Sequence, residues 1–526
     1  MVLDEYQALD KQNNDLLLQF LTRVEKQPTF SSMTEKSSFL QLLLKDLKEN
    51  KETWTEELKT KALSVIRILG RDQAGSDPLF TKEGIMVFIQ LAGLYKPTRV
   101  MDTASSQEAL KCICNCVFLK ESVKPYLEEE HVVDSCLYVL QQSEDQHRLG
   151  LETQFLTCRL LFFMTVHRSD LVASLIKLNV ADAIAKVLSS NVALLEDPAL
   201  RIQIDRNAPI NPWTVTSEAL KLLFNLLLVE ARREDAMDTN QAFQQCLVPI
   251  LRLIFRVPFA EPQPLVPPHA QAIHALMQFQ YTTIAQVWSE QSQWTRQLYA
   301  KQEDEHGYIY MANTLVNVLD KSIHVLIPSG DPDQDGNQSV DATIAPLLLV
   351  LVSLAEGDEA FKQTMIKQML PREKDRLKPV NEGSSLSAYL IRLMTSTMMP
   401  QTRDAACETL FVLCDKDASK FTQQVGYGNA VGFLVNKGIP MEPPQGSSSE
   451  TQEDVNPITG QYVKEEKLPD LKDMTDEEKE REAERLFVLF ERLKKTGIID
   501  VENPIAKAMQ ESQGRFEEIQ SDSDSD

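Results

Sequence analysis

The chain has little of what most chemistry is built from. Among its 526 residues are four tryptophans, seven histidines and eight cysteines, and aromatics make up 7%. The histidines are scattered without triad or metal spacing. No Walker loop, GxSxG, HExxH or kinase signature occurs. These absences argue against an enzyme that makes or breaks covalent bonds, and no metal or cofactor is expected. Cys112, Cys114 and Cys116 stand two apart, with no CxxC or nearby histidine, so they read as small buried apolar side chains. Positive charge is also short. Lys and Arg number 54 against 77 Asp and Glu, a net of −23, which excludes non-specific nucleic-acid binding through phosphates. Alternating β-branched runs are scarce, which argues against a large sheet. No apolar run reaches the roughly 18 residues of a membrane span, so no stable membrane insertion is expected. The opening Met1-Val-Leu-Asp-Glu-Tyr6 is acidic, unlike a signal peptide. Together these predict a reduced, cytoplasmic protein.

What is present is leucine-rich helix. The stretch Ala109-Leu-Lys-Cys-Ile-Cys-Asn115 is echoed by Ala219-Leu-Lys-Leu-Leu-Phe-Asn225. Each follows a hydroxyl residue and a glutamate, Ser106-Gln-Glu108 and Thr216-Ser-Glu218, which reads as a helix start. Within each copy Lys111 and Asn115, or Lys221 and Asn225, stand four apart and share one helix face. The other faces are apolar. A helix with one polar stripe suits the inner layer of an α-solenoid. Arg67 and Arg71 repeat that spacing, as do His274 and Gln278, and Arg159 keeps the first position. The steps from Arg67 to Lys111 to Arg159 are about 44 and 48 residues, near an armadillo or HEAT period. The steps to Lys221 and His274 are longer and require insertions. Stacked, these residues would line a long groove rather than a pocket.

Along the chain, residues 1–50 predict two or three short amphipathic helices, with Phe20, Leu21 and Val24 on one face and Phe39, Leu42 and Leu43 on another. The first repeat covers about 52–95. Pro258 to Pro268 carries five prolines and reads as a rigid crossover. Asp331-Pro-Asp333-Gln-Asp335-Gly336 begins like a calcium loop, but its twelfth position is Ala342, so it reads as an acidic surface loop. Helix resumes at Ala345-Pro346. Gly426-Tyr-Gly428-Asn-Ala-Val-Gly432 reads as a tight turn seating the last helix, because no strand precedes it and no Lys-Ser or Lys-Thr follows. The expected order is a superhelix over 1–425, a Gly-rich turn and last helix over 426–440, an acidic linker over 441–473, an amphipathic helix over 474–497 and a disordered acidic tail over 498–526. From Met441 on there are 23 acidic and 11 basic residues, a net of −12. Leu486, Phe487, Leu489, Phe490 and Leu493 form an apolar stripe that needs a partner surface.

Several stretches together resemble the synembryn family, the resistance-to-inhibitors-of-cholinesterase proteins. They are Ile66-Arg-Ile-Leu-Gly-Arg-Asp72, Leu110-Lys-Cys-Ile-Cys-Asn115, Arg159-Leu-Leu-Phe162, Leu410-Phe-Val-Leu-Cys414, Gly426-Tyr-Gly-Asn-Ala430, Asn456-Pro-Ile-Thr-Gly460 and Met474-Thr-Asp-Glu-Glu-Lys479. The resemblance implies a nine-repeat armadillo/HEAT array acting as a monomer. It also implies a folding chaperone and guanine-nucleotide exchange factor for heterotrimeric G-protein α subunits. The groove would grip the partner's C-terminal helix through Arg67, Arg71 and Asn115, joined on the repeat pattern by Lys111, Arg159, Lys221, Asn225, His274 and Gln278. Leu486, Phe487 and Phe490 would brace its Ras-like domain. An acid-directed protein kinase would phosphorylate Ser447 and Thr451, which have Glu450 and Asp454 three residues on. Recruitment to the inner face of the plasma membrane is implied too. The alternative is a generic armadillo scaffold or transport adaptor, but such adaptors carry a Trp and Asn ladder, and the tryptophans here miss the polar stripe.

Overall fold

The structure, a computed structural model, describes residues 2–97, 99–142, 149–232, 239–290, 307–439, 455–456, 458–465 and 475. The expected amphipathic helix, its apolar stripe, Ser447 and Thr451 lie outside the described residues. The fold is all-α, of α-solenoid type. Among the described residues β pairing is confined to an isolated bridge between Val455 and Tyr462. Two compact units emerge, Met1–Val325 with Leu349–Gly357, and Leu326–Leu348 with Asp358–Asp526.

In the first unit the helices come in pairs: α1 and α2 (Asn14–Lys26, Met33–Glu49), α3 and α4 (Glu56–Leu69, Lys82–Leu91), α5 and α6 (Ala104–Leu119, Val132–Gln141), α7 and α8 (Leu151–Thr165, Val180–Glu196), α9 and α10 (Pro212–Glu230, Leu247–Arg256), α11 and α12 (His269–Leu276, Tyr281–Glu290). Each odd-numbered helix packs on the next odd-numbered one, α1 through α11 in sequence. The even-numbered helices form a second layer, in which α4 reaches α6 through the short helix Lys124–Glu129. Each of α3, α5, α7 and α9 therefore has neighbours on both flanks and behind it. This accounts for the apolar circumference of α9, where Val215, Leu220, Leu222, Leu223, Leu226 and Leu227 are all fully buried. Phe20, Leu21, Val24, Phe39 and Leu43 are core residues as expected, while Leu42 is half-buried. All eight cysteines are buried. Burial raises the thiol pKa of Cys114 and Cys158 to about 12, so these sulfurs are inert packing groups.

Acidic side chains register one repeat on the next. Glu56 of α3 accepts from the Ser105 amide at 2.7 Å, in the first turn of α5. Asp102 accepts from the Gly150 amide at 2.6 Å and so caps α7, whose N-cap residue is a glycine without a side chain. The helices begin earlier than their sequence signals suggest. Thr103 and Asn211 are the capping residues of α5 and α9, each in a reciprocal box with the residue three on, Ser106 and Thr214. Glu108 and Glu218 lie inside their helices. The proline-rich stretch is non-helical and links α10 to α11. At its end His269 is buried, with Nε2 3.2 Å from the Leu253 carbonyl and 3.3 Å from that of Val257. Only a protonated Nε2 can bond a carbonyl, which fixes the neutral tautomer.

After α13 (Tyr308–Leu326), the second unit contains α15 (Glu359–Met369), α16 (Leu386–Leu393), α17 (Pro400–Leu413), α18 (Ala418–Val425) and α19 (Tyr427–Asn436). Helix α14 (Gln338–Gly357) contributes to both units. Helix α14 starts at Gln338 rather than near Ala345, because Asn337 caps the Ser339 and Val340 amides and Pro346 is taken inside the helix. Contrary to the sequence expectation, α14 is long and apolar enough to cross a membrane, with mean hydropathy 1.7, and most of its apolar stretch is buried inside the protein. Its buried Asp341 accepts from the Gln401 and Thr402 amides, capping α17, whose own N-cap Met399 offers no side-chain oxygen. The acidic loop serves similarly. Asp333 accepts from Ser396, Thr397 and the Met398 amide, and Asp335 from Ser329.

Of the glycine-rich stretch expected as a turn, only Gly426 lies outside a helix, as the N-cap of α19, which takes in Tyr427 through Gly432, and the start of that helix meets the other distinctive motif. Gly426 has φ +79°, and the Gly428 amide donates to the Ile458 carbonyl at 3.3 Å. Arg376, nearly buried, donates to the carbonyls of Gly460 (2.8 Å) and Gln423 (3.2 Å) and to the Gln424 amide oxygen (2.7 Å). The Val380 amide donates to Thr459. Residues 455–456 and 458–465 are thus folded onto the rest of the second unit.

Both the glycine turn and the buried histidine can be probed by substitution. A Cβ on Gly426 would lie 2.7 Å from the Ile458 oxygen. Gly426→Ala should destabilise the second unit by about 1–3 kcal/mol, and the Gly428 and Gly460 amides should exchange faster; unchanged exchange would mean the turn is not seated there. For His269, burial dominates over its carbonyl partners and lowers its pKa from 6.5 to about 4. Between those values the unfolded chain takes up a proton that the folded one refuses. Stability is therefore complete above pH 6.5 and falls as pH drops toward 4, by up to roughly 3 kcal/mol. His269→Gln, which keeps a donor without titrating, should flatten that part of the slope in urea melts between pH 7.5 and 4.5.

Candidate functional site

The nine groove residues proposed from the sequence all fall in the first unit, on or just past odd-numbered helices. Arg67 lies on α3, half-buried. Its Nε donates to Glu108 Oε2 at 2.7 Å and its Nη2 to Ser64 Oγ at 3.3 Å. Lys111 on α5 binds Glu108 at 2.6 Å and Glu152 of α7 at 2.5 Å. Burial opposes the Lys111 charge, but the two carboxylates outweigh it and raise its pKa. Arg159 on α7 makes a two-point contact with Glu218 of α9, Nε at 3.0 Å and Nη2 at 3.2 Å, and lies over the Phe155 ring at 4.2 Å. Lys221 meets the same Glu218 at 3.2 Å. Behind Arg67, Ser64 and Lys61 share Glu25 of α1, both at 2.6 Å.

These contacts form a run of alternating charge across the layer from α1 to α9. Sequence reasoning found Arg67, Lys111, Arg159 and Lys221 and missed Lys61 and the anions. Glu108 and Glu218 sit three residues before Lys111 and Lys221, so the signal was a repeated Glu-Lys pair at i,i+3. Reading the glutamates as start signals hid it.

Other positions depart from the expected helical spacing. Helix α3 ends at Leu69 with Gly70 as its C-cap, so Arg71 lies in the following turn, exposed, and is not one helical turn above Arg67. Likewise α11 ends at Leu276, and Gln278 follows in a turn whose amide donates to Ala275. His274 is on α11, its ring 5.8 Å from that of Phe224. The two asparagines diverge. Asn115 is half-buried and lines a small crevice with Arg67, Gly70, Leu79 and Phe88. Asn225 is buried and donates to Thr165 Oγ1 at 2.9 Å, tying α9 to α7.

Residues 62–513 match the family described as guanine nucleotide exchange factor synembryn, Ric8. The chain belongs to the synembryn family. Its relatives include chaperone Ric-8A of Xenopus tropicalis, 26% identical over 494 residues and covering 88% of each chain. Chaperone Ric-8A of Danio rerio is 26% identical over 462 residues, 83% of this chain and 81% of its own. Chaperone Ric-8B of Mus musculus is 24% identical over 399 residues, 72% and 76%. The synembryn match contains the polar wall from Lys111 to Lys221 and both motifs that meet at Gly426 and Ile458. The family is described as one of exchange factors, and these relatives are named as chaperones.

The buried Asn225 bond can be tested apart from any partner. Thr165→Val leaves the Asn225 amide without its acceptor and should cost about 1–3 kcal/mol. Thr165→Val combined with Asn225→Leu should recover much of that in denaturation melts; additive losses would show the pair is not coupled.

Proposed function

We propose that this chain is a chaperone and guanine-nucleotide exchange factor for heterotrimeric G-protein α subunits. It grips the C-terminal helix of its partner along the polar wall of the first unit and stabilises the nucleotide-free state. The observation carrying this reading is the synembryn match across that wall, where Arg67, Lys111, Arg159 and Lys221 lie on successive odd-numbered helices. The end of a partner helix is electronegative, and guanidinium groups suit its carbonyl and carboxylate oxygens. Asn115 lines a crevice with Arg67 at that end of the wall, and in this reading the exposed Arg71, in the turn after Gly70, joins them on the partner. Withdrawing the C-terminal helix from the Ras-like core loosens the loop holding the guanine base, and GDP leaves. The glycine-rich backbone at 426–428 is committed to residues 458–460, which fits a factor that acts on the partner rather than on nucleotide.

To this reading belong a monomeric, cytoplasmic protein recruited to the inner face of the plasma membrane, phosphorylation of Ser447 and Thr451 by an acid-directed kinase, and a bracing role for Leu486, Phe487 and Phe490. The purified chain should accelerate GDP release from an isolated G-protein α subunit. Arg67→Glu with Arg71→Glu should reduce that acceleration by roughly tenfold or more, with helix content unchanged by circular dichroism. No acceleration by the unaltered chain, and no complex with the nucleotide-free partner, would sink the proposal.

A further inference from the structure

The arginines of the polar wall are already engaged, and the way they are held carries information. Glu108 and Glu218 occupy equivalent places. Each is bound by the lysine three residues on and by an arginine from the preceding odd-numbered helix. The carboxylates lie deeper than the guanidinium groups, with side chains 11% and 4% exposed against 21% for Arg67 and 35% for Arg159. Both arginines are anchored at the Nε edge. Arg67 is held additionally through Nη2 on Ser64, whose hydroxyl is itself tied to Glu25. Arg159 is held through Nη2 on Glu218 and by the Phe155 ring. In neither case does Nη1 have a hydrogen-bond partner among the described residues.

We propose that Glu108 and Glu218 are positioning residues, which fix Arg67 and Arg159 by one edge and present the other to a partner's carboxylate and carbonyl oxygens. This rests on the proposed function, in which the arginines contact the partner. A guanidinium carries five donors in a rigid planar fork. Fixing one edge removes most of the side chain's rotamer freedom before a ligand arrives, and that freedom is otherwise lost on binding. Partly exposed ion pairs add little to folding, so such a device repeated on two helix pairs is better explained by orientation than by stability. Between the two stations Lys111 bridges to Glu152 and carries the run of charge across α5 and α7. The sharing also balances charge, so the wall is not an open cationic strip that any anion would occupy. The ligand chemistry that fits is an extended or helical peptide end carrying acceptors at two points along the stack.

The test is a double-mutant cycle on the full chain. The probe is a labelled synthetic peptide with the sequence of a Gα C-terminal helix, read by fluorescence anisotropy. Glu108→Gln should weaken binding about fivefold to tenfold, yet change affinity by less than about twofold when Arg67 is already alanine. Glu218→Gln should behave likewise with Arg159→Ala. A carboxylate acting only on the fold would show the same loss in both backgrounds, and that result, or unchanged affinity in the Gln variants, overturns the proposal. If Glu108→Gln does not fold, the Glu218 cycle on a separate helix pair decides; if neither folds, the glutamates are fold determinants and the proposal fails. Loss on arginine substitution without loss on glutamate substitution rejects only the positioning role. A chain that does not bind the peptide, or binds it equally well without Arg67 and Arg159, rejects the binding reading itself.

Discussion

Everything in the first unit depends on the inner odd-numbered helices, α3 to α9, being packed from three sides by other helices. Full burial of one leucine or isoleucine contributes about 1.5–3 kcal/mol. Helix α9 alone fully buries six large aliphatic side chains, while a partly exposed ion pair contributes about 0–1 kcal/mol. The apolar contacts therefore decide the architecture. The remaining side of each of these helices is where charged side chains can stand within reach of water, whereas a packed side takes a polar group only when it is paired, as Asn225 is with Thr165, so a polar wall is a consequence of the stacking. What selection has to settle is which polar groups stand there and how they are held.

Hydrophobic stacking alone leaves helices free to slide, because leucine ridges repeat along each axis. Directional contacts remove that freedom. Glu56 binds the first turn of α5, Asp102 the first turn of α7, and in the second unit Asp341 binds the first turn of α17. Each places an acid from an earlier element on the amides at a later helix start. The shared glutamates add a lateral tie at mid-helix. The longer steps in the repeat spacing are taken up outside the odd-numbered layer, by the short helix Pro198–Gln203 and by the proline-rich connection. The odd-numbered series itself stays unbroken through α11.

This division explains what was legible in the sequence. Helix type, the repeat and the core faces were readable because they are written in local periodicity, as in Phe20, Leu21 and Val24. The inert cysteines were readable because nothing around them offered metal spacing. Helix ends were less legible. Gly70 stops α3 before Arg71, and Asn337 starts α14 ahead of the apolar run, and both are decided by single residues whose weight depends on context. The partners of the polar stripe were least legible. Glu108 binds Arg67 from 41 positions away and Glu218 binds Arg159 from 59, and no local pattern encodes a contact across helices. The meeting of residues 426–428 with 458–460 was hidden for the same reason, although each motif was conspicuous by itself.

On the proposed function, magnitude also constrains how the wall works. To move a two-state partner from one part in a hundred to ninety-nine requires about 5.5 kcal/mol of differential affinity. Ion pairs at a half-exposed surface, at about 1 kcal/mol each or less, do not reach that by attraction alone, and they would be offered to any anion. The difference must come from surface available in one state of the partner and hidden in the other. A helix drawn out of its core exposes such a surface, and the wall has apolar area to meet it. Phe118 on α5 is 74% exposed, and its ring lies 5.9 Å from that of Phe163 on α7, beside the charged run. Apolar contact then supplies the discrimination between states. The oriented arginines supply register along the stack, since a peptide end that misses them leaves its acceptors unpaired.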